Sequence, residues 1–294
     1  MKNACHLLGS VVIPAHDEAA VITRCLDALS EGFAPGELDV VVVCNGCADR
    51  TATLARSSRQ AVRVVELAAA SKPAALRAGD AAARAFPRLY LDADVVLPGA
   101  SARRVLERLR DGALGARPPI RYDSTSSSAP VRSYYRARSR VPAVLGSLWG
   151  AGVYGLSAAG RQRFGVFPDV VADDLWVDRH FDRGEVEIVD CPPVVVAVPR
   201  RARDLRRVLR RTYRGKHEVA GASDPGVRVP DTARRALRDL CRLAATDPAA
   251  AVDAATYAAF AASARVAIAT GRTGGRGFVA GEWERDDSSR VALT

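Results

Sequence analysis

Over roughly its first third the chain alternates short apolar runs with amphipathic stretches, a pattern compatible with few folds. Ser10 to Pro14 reads as a buried strand that stops at a proline, and Val21, Ile22, Cys25, Leu26 and Leu29 then recur at helical spacing. Asp17 or Glu18 suits the start of that helix, where negative charge meets the positive end of the dipole. Leu38 to Cys44 is a second strand, Asn45-Gly46 turns the chain, and Asp49 is the expected N-cap of a second helix. Val62 to Leu67, Pro73 to Ala85, Leu89 to Leu97 and Gly99 to Leu109 continue as strand, helix, strand and helix. Strands apolar on both faces, joined through helices by short loops, predict an α/β fold with a parallel, doubly wound sheet. Gly-x-Gly-x-x-Gly is absent after the first strand, and no Gly-x-x-x-x-Gly-Lys-Ser/Thr occurs, so those two phosphate cradles are disfavoured.

The fourth strand carries Asp92 and Asp94, two residues apart. On a strand both point to one side, and unpaired carboxylates in a core must find a cation or a metal. Hard oxygen ligands at a strand end suit Mg²⁺ or Mn²⁺ bridging to a phosphorylated substrate. The alternative is a strand end running into solvent, with both aspartates as turn formers.

Composition narrows the partners. Lys occurs only at positions 2, 72 and 216, so arginine supplies nearly all of a net charge of +10. That excess suits anionic substrates or an acidic surface, but few aromatics interleave with the arginines and a nucleic-acid groove is not favoured. No run of 18 apolar residues reads as a spanning helix, and Leu7 to Ala15 reads as a first strand, not a signal peptide. Of six cysteines only Cys44 and Cys47 have redox-pair spacing, and no second pair completes a zinc site, so reduced thiols of a cytoplasmic protein fit better.

Further along, residues 118–130 are polar and long for an internal loop, which suggests a mobile or functional segment. Leu148 to Gly155 is Gly-rich, suggesting close backbone approach to a ligand or a tight strand pair. Asp173-Asp174 forms a second acidic cluster, Val186 to Val198 reads as strands broken by Pro192-Pro193, and Arg200 to Arg214 is dense in arginine. From Asp231 to about Ala269 the chain is Ala-rich and helical with a break at Asp247-Pro248, and from Gly271 it reads as a disordered tail.

In this order the segments resemble the family 2 glycosyltransferases of the GT-A type. Val11 to Ala19, reading VVIPAHDEA, is similar to their opening strand and turn. VVVCNGCADRT at 41–51 resembles the second-strand motif, and SKPAALRAG at 71–79 resembles the Gly-Lys-x-x-Ala-Leu-Asn-x-Gly helix start. Asp92-Ala93-Asp94 stands at the family's Asp-x-Asp, Asp173-Asp174 at its Glu-Asp pair, and Arg210-Arg211-Thr212-Tyr213-Arg214-Gly215 at its basic motif. The match covers about residues 10–217, with Cys44 in place of a usual aspartate, Arg77 in place of Asn, and no Trp in the basic motif.

The resemblance implies a GT-A fold: a doubly wound, mostly parallel sheet flanked by helices, over residues 1–222, with a helical extension at 223–270 and the tail at 271–294. It implies transfer of a sugar, with inversion, from a nucleotide diphosphate donor, UDP-sugar first, to an acceptor hydroxyl on a sugar, lipid-linked or natural-product molecule. Asp174 would be the base, with Asp173 orienting it or facing the acceptor. Asp94 would ligate the divalent metal with Asp92, and His217 could complete the site. Pro14, Ala15, Asp17, Glu18, Asn45, Asp49, Lys72, Asp92, Ala93, Arg210 and Arg211 would border the nucleotide sugar. Trp149 and Tyr154 would stack on the acceptor or serve the core. Asp253 and Arg265 interrupt the C-terminal helices, leaving a helical cap, a dimer interface or a peripheral membrane contact of a cytoplasmic enzyme. The alternatives are a nucleotidyltransferase on a similar sheet, disfavoured because Pro14 to Glu18 lacks its Gly-rich loop, and a degenerate domain that binds without turnover.

Overall fold

The structure, a computed structural model, describes residues 7–59, 61–221 and 232–270. The expected tail at 271–294 lies outside the described residues. The chain opens as β1 (Gly9–Ala15), α1 (Ile22–Ser30), β2 (Leu38–Asn45), α2 (Thr51–Arg56), β3 (Val62–Leu67), α3 (Lys72–Ala82), β4 (Arg88–Leu91), α4 (Gly99–Arg110) and β5 (Gly115–Arg117). β6 (Ile120–Asp123), α5 (Ala129–Arg138) and α6 (Pro142–Leu145) follow, then β7 (Val153–Leu156), α7 (Ala158–Arg161), α8 (Asp173–Asp178) and β8 (Val186–Ile188). β9 (Val194–Ala197), α9 (Ala202–Gly221), α10 (Thr232–Ala244) and α11 (Pro248–Ala269) close the described chain.

Contacts divide it into two compact units, one holding the described residues up to 119 and 148–194, the other 120–147 and the described residues from 195. The first unit is a seven-stranded sheet in the order β3-β2-β1-β4-β7-β5-β8. β1, β2, β3 and β4 are mutually parallel, β5 and β8 are parallel, and β7 runs antiparallel between β4 and β5. The fold is thus the mostly parallel α/β sheet that the alternation of strands and helices predicts. Every residue of β1 and β2 is buried, as strands covered on both faces by helices must be. Val41 and Val43 pack on Ala75 of α3, each apolar burial of this kind stabilising by about 1.5–3 kcal/mol.

Several local expectations change. α1 begins at Ile22, and neither Asp17 nor Glu18 caps it; Asp17 Oδ1 instead accepts from the Ala48 and Asp49 amides. Asp49 stands one residue before the first-turn boundary of α2, its Oδ1 accepting from Thr51 N at 2.9 Å and its Oδ2 from Ala19 N at 3.0 Å. The polar segment 118–130 is not a loop throughout, since it contains β6, which pairs with β9, and it then starts α5. β4 ends at Leu91, so Asp92 and Asp94 lie in the turn beyond it and not on one strand face.

In the second unit α11 packs on α5. Asp247 caps α11 through Ala250 N at 2.7 Å, with Pro248 at its first position. Tyr134 stacks on Tyr257 with centroids 4.8 Å apart, and buried Asp253 accepts from Ser133 Oγ at 2.7 Å and from Arg136 Nε at 2.9 Å and Nη2 at 2.6 Å. Asp253 is a helix-to-helix tie. The Arg136 hydrogen bonds, opposed by burial, hold its carboxyl below the ordinary aspartate range. Its contribution is therefore present at neutral pH and lost as pH falls through that lowered value. Asp253→Ala is expected to cost about 1–3 kcal/mol in urea unfolding at pH 7. The difference from wild type should shrink in acid, and a difference that stays constant with pH would refute the ion pair as its source. Among the described residues no helix is long and apolar enough to cross a membrane.

Candidate active site

The C-terminal ends of β1, β2 and β4 and the start of α3 meet through short-range bonds that begin with Asn45. This fully buried side chain donates to Ala15 O at 2.8 Å, and its Oδ1 accepts from Ser71 N at 2.9 Å. Ser71 caps α3 by accepting from Ala74 N, and Pro73 presets the backbone of the first turn. Lys72 is thereby fixed between them, at the first helical position.

Lys72 Nζ lies 2.8 Å from Asp92 Oδ1 and 2.8 Å from Asp173 Oδ1. Burial alone would push this ammonium toward neutrality, but Asp173, Asp92 and Asp174 outweigh it and hold it above the ordinary lysine value, fully charged. Asp173, buried at the start of α8, also accepts from Tyr154 OH at 2.9 Å. Tyr154 stacks on Tyr90 with centroids 5.0 Å apart, and Tyr90 OH donates to Asp80 at 2.6 Å, so the aromatic layer beneath the carboxylates is itself anchored. Asp174, half-buried, accepts from Gly150 N at 2.8 Å through Oδ2 and from Leu175 N at 2.7 Å through Oδ1. Loss of water around it, followed by the charge of Asp173, raises its pKa to about 6 despite Lys72 and the Gly150 hydrogen bond.

Gly150 and Gly152 supply the turn that makes this arrangement, with φ of 88° and 66°. Gly150 presents its amide to Asp174, and Gly152 O accepts from Asp92 N at 2.8 Å. A Cβ on Gly152 would stand 2.5 Å from Val95 and 3.4 Å from Asp92 Oδ2. Of the two expectations for this Gly-rich segment, the tight strand pair is met, since β7 runs antiparallel to β4 with Gly155 opposite Leu89. Gly150 itself carries no chemistry in its side chain, and only the Gly-x-Gly spacing before β7 marks it in the sequence.

The expected site residues fall into three groups. Pro14, Lys72, Asp92, Tyr154, Asp173 and Asp174 line one cleft. Ala15, Asp17, Glu18, Asn45 and Asp49 lace the turns after β1 and β2, with Glu18 N donating to Thr51 Oγ1 at 2.7 Å. Arg210, Arg211 and His217 belong to α9 of the second unit. Ala93 is buried behind the acidic turn, Asp94 is exposed on it, and Trp149 is buried. Lys72, expected at the nucleotide sugar, is here paired with two acidic side chains.

A family description, glycosyl transferase family 2, matches residues 10–156 of this sequence, from the second residue of β1 to the end of β7. The chain belongs to glycosyl transferase family 2. The protein is accordingly a glycosyltransferase enzyme. Solved structures share its fold at low identity. The mannosyltransferase PcManGT from Pyrobaculum calidifontis, in complex with GDP-Man and Mn²⁺, is similar with a TM-score of 0.59 and 22% identity, covering 88% of this chain and 86% of that one. Glucosyl-3-phosphoglycerate synthase from Mycobacterium tuberculosis, in complex with Mn²⁺, UDP and glucosyl-3-phosphoglycerate, is similar with a TM-score of 0.50 and 20% identity, covering 76% and 82%. TarS of S. aureus is similar over 79% of this chain and 42% of its own, with a TM-score of 0.50 and 16% identity. Among curated proteins no sequence matches this glycosyltransferase.

Proposed function

We propose that this enzyme transfers a sugar from a nucleoside diphosphate sugar, a UDP-sugar first, to an acceptor hydroxyl with inversion at the anomeric carbon. The observation that carries the reading is Asp174, a half-buried carboxylate poised near neutrality beside the Lys72-bridged pair Asp92 and Asp173. A base must be ionised at working pH and still hold a proton when it takes one, and a pKa near 6 meets both needs. Backbone amides occupy one lone pair on each Asp174 oxygen, leaving acceptor capacity for a substrate hydroxyl.

In this reading Asp174 takes the acceptor hydroxyl proton as that oxygen bonds to the anomeric carbon. The bond from that carbon to the diphosphate oxygen breaks on the opposite face, which inverts the centre. Lys72 and Tyr154 hold Asp173 in place, so that its charge keeps the Asp174 pKa high. Asp17, Glu18, Asn45 and Asp49 border the nucleotide. The donor set at the acidic turn suits a hard cation: the carboxylates of Asp92 and Asp94 stand two residues apart in the turn just after β4. Asp94, with Asp92, would hold Mn²⁺ or Mg²⁺, which neutralises charge developing on the departing diphosphate. Exposed Arg235, Arg238 and Arg242 on α10 support peripheral contact of a cytoplasmic enzyme with an acidic membrane.

Calorimetric titration of UDP, GDP and dTDP, each with Mn²⁺, with Mg²⁺ and with EDTA, tests this. UDP should bind in a metal-dependent way, and Asp94→Ala should remove the dependence. Equal binding in EDTA would overturn the metal assignment, and binding of none of the three would favour a domain that does not turn over nucleotide sugars.

A further inference from the structure

The turns after β1 and β2 bring three side chains of different donor chemistry to one point. One ring nitrogen of His16, a carboxylate oxygen of Asp17 and Cys47 Sγ all lie within 4.8 Å of one another, and all three residues are half-buried. His16 Nε2 is 4.0 Å from Asp17 Oδ2.

Each of the three is oriented by its surroundings. His16 Nδ1 lies 2.7 Å from the carbonyl oxygen of Asn45, which can only accept. Nδ1 therefore carries the hydrogen, and in the neutral ring the lone pair is on Nε2. Asp17 is the single non-glycine residue with positive φ, 50°, among those described. Its Oδ1 is engaged by Ala48 N at 2.7 Å and Asp49 N at 3.2 Å, which turns Oδ2 toward His16. A backbone strain of this kind persists only where surroundings enforce it, and it gathers at functional positions. Cys47 Sγ accepts from Asp17 N at 3.4 Å. An imidazole braced at Nδ1 by a carbonyl, and a ligating oxygen and sulfur each steadied through backbone amides, form the outer shell found around bound metals.

We propose that His16 Nε2, Asp17 Oδ2 and Cys47 Sγ bind Zn²⁺, with water as a fourth ligand, at a site that shares no ligand with Asp92 and Asp94. Zinc is the common ion that takes nitrogen, oxygen and thiolate donors together. Tetrahedral bonds to these atoms set them about 3.3–3.6 Å apart, within reach of small side-chain rotations from the present spacing. On binding, the Cys47 S–H bond is replaced by S–Zn and the proton passes to solvent; thiolate and carboxylate then balance the ion's two charges. The ion would fasten the β1 turn to the β2 turn.

The test uses the full chain, stripped with EDTA and titrated with Co²⁺ as a spectroscopic substitute. One equivalent should give tetrahedral visible bands and a thiolate-to-cobalt charge-transfer band, both bleached by Zn²⁺. Cys47→Ser should abolish the charge-transfer band, His16→Ala should weaken binding at least about tenfold, and Asp94→Ala and Cys44→Ser should leave the band intact. Circular dichroism checks that each variant is folded. A band that survives in Cys47→Ser overturns the proposal, as does saturation only at millimolar metal, which marks an adventitious ion only. Asp17 also borders the nucleotide in the reading above, but the readout is metal binding itself and stands or falls apart from that assignment.

Discussion

Asp174→Asn is expected to slow sugar transfer by about 10²–10⁴-fold while leaving nucleotide affinity within a few-fold of wild type. The amide cannot take a proton from the acceptor. It also cannot accept from both backbone amides, since Gly150 N and Leu175 N reach different oxygens and one would face an NH₂ group. A small loss of stability therefore accompanies the kinetic loss, and melting curves separate the two. The wild-type rate should rise with pH through about 6, where the carboxyl becomes ionised, and that limb should vanish in the variant. Transfer at the wild-type rate by Asp174→Asn would remove Asp174 from the mechanism.

Lys72→Met is expected to be the most damaging single change to stability. It deletes the cation held 2.8 Å from both Asp92 and buried Asp173, leaving a carboxylate that is nearly inaccessible without its counter-charge. Breaking a buried pair on one side costs about 3–5 kcal/mol, because the remaining charge stays desolvated. The same change acts on catalysis in a defined direction. Lys72 is the charge that lowers the Asp174 pKa, so without it the acid limb of the pH–rate profile should move above 6. Urea unfolding and a pH–rate series on one variant measure both effects. A limb that stays near 6 would show that Lys72 is not what balances the acidic cluster.

Much of this arrangement is written locally in the chain. β1 and β2 announce themselves through consecutive β-branched residues, and Ser71, Lys72 and Pro73 spell the start of α3 without reference to anything distant. Asp173 and Asp174 are visible as an acidic cluster. What binds Asp173 to Asp92 is not visible, because Lys72 is separated from it by about a hundred residues of sequence. β5 and β7 are equally hidden. β5 has three residues, one of them a buried arginine, and β7 contains a glycine, so neither carries an alternating apolar signal; their order depends on tertiary pairing. Asp253 reads from sequence as an interruption of an apolar helix. The structure gives it partners on α5, 117 and 120 residues away, a relation that no local pattern encodes.

That long-range tie bears on how the protein can be shortened. A chain stopped at residue 222 would keep α5 but lose α11, so Tyr134 would lose the ring of Tyr257 and the edge of Phe260 that cover it. Ser133 and Arg136 would lose Asp253 at the same stroke. Such a fragment would carry an open aromatic face into expression and would be prone to self-association, even with every strand of the catalytic sheet intact. Because 120–147 lies between β5 and β7 in the chain, cutting one end cannot release it, and a minimal enzyme has to retain α11.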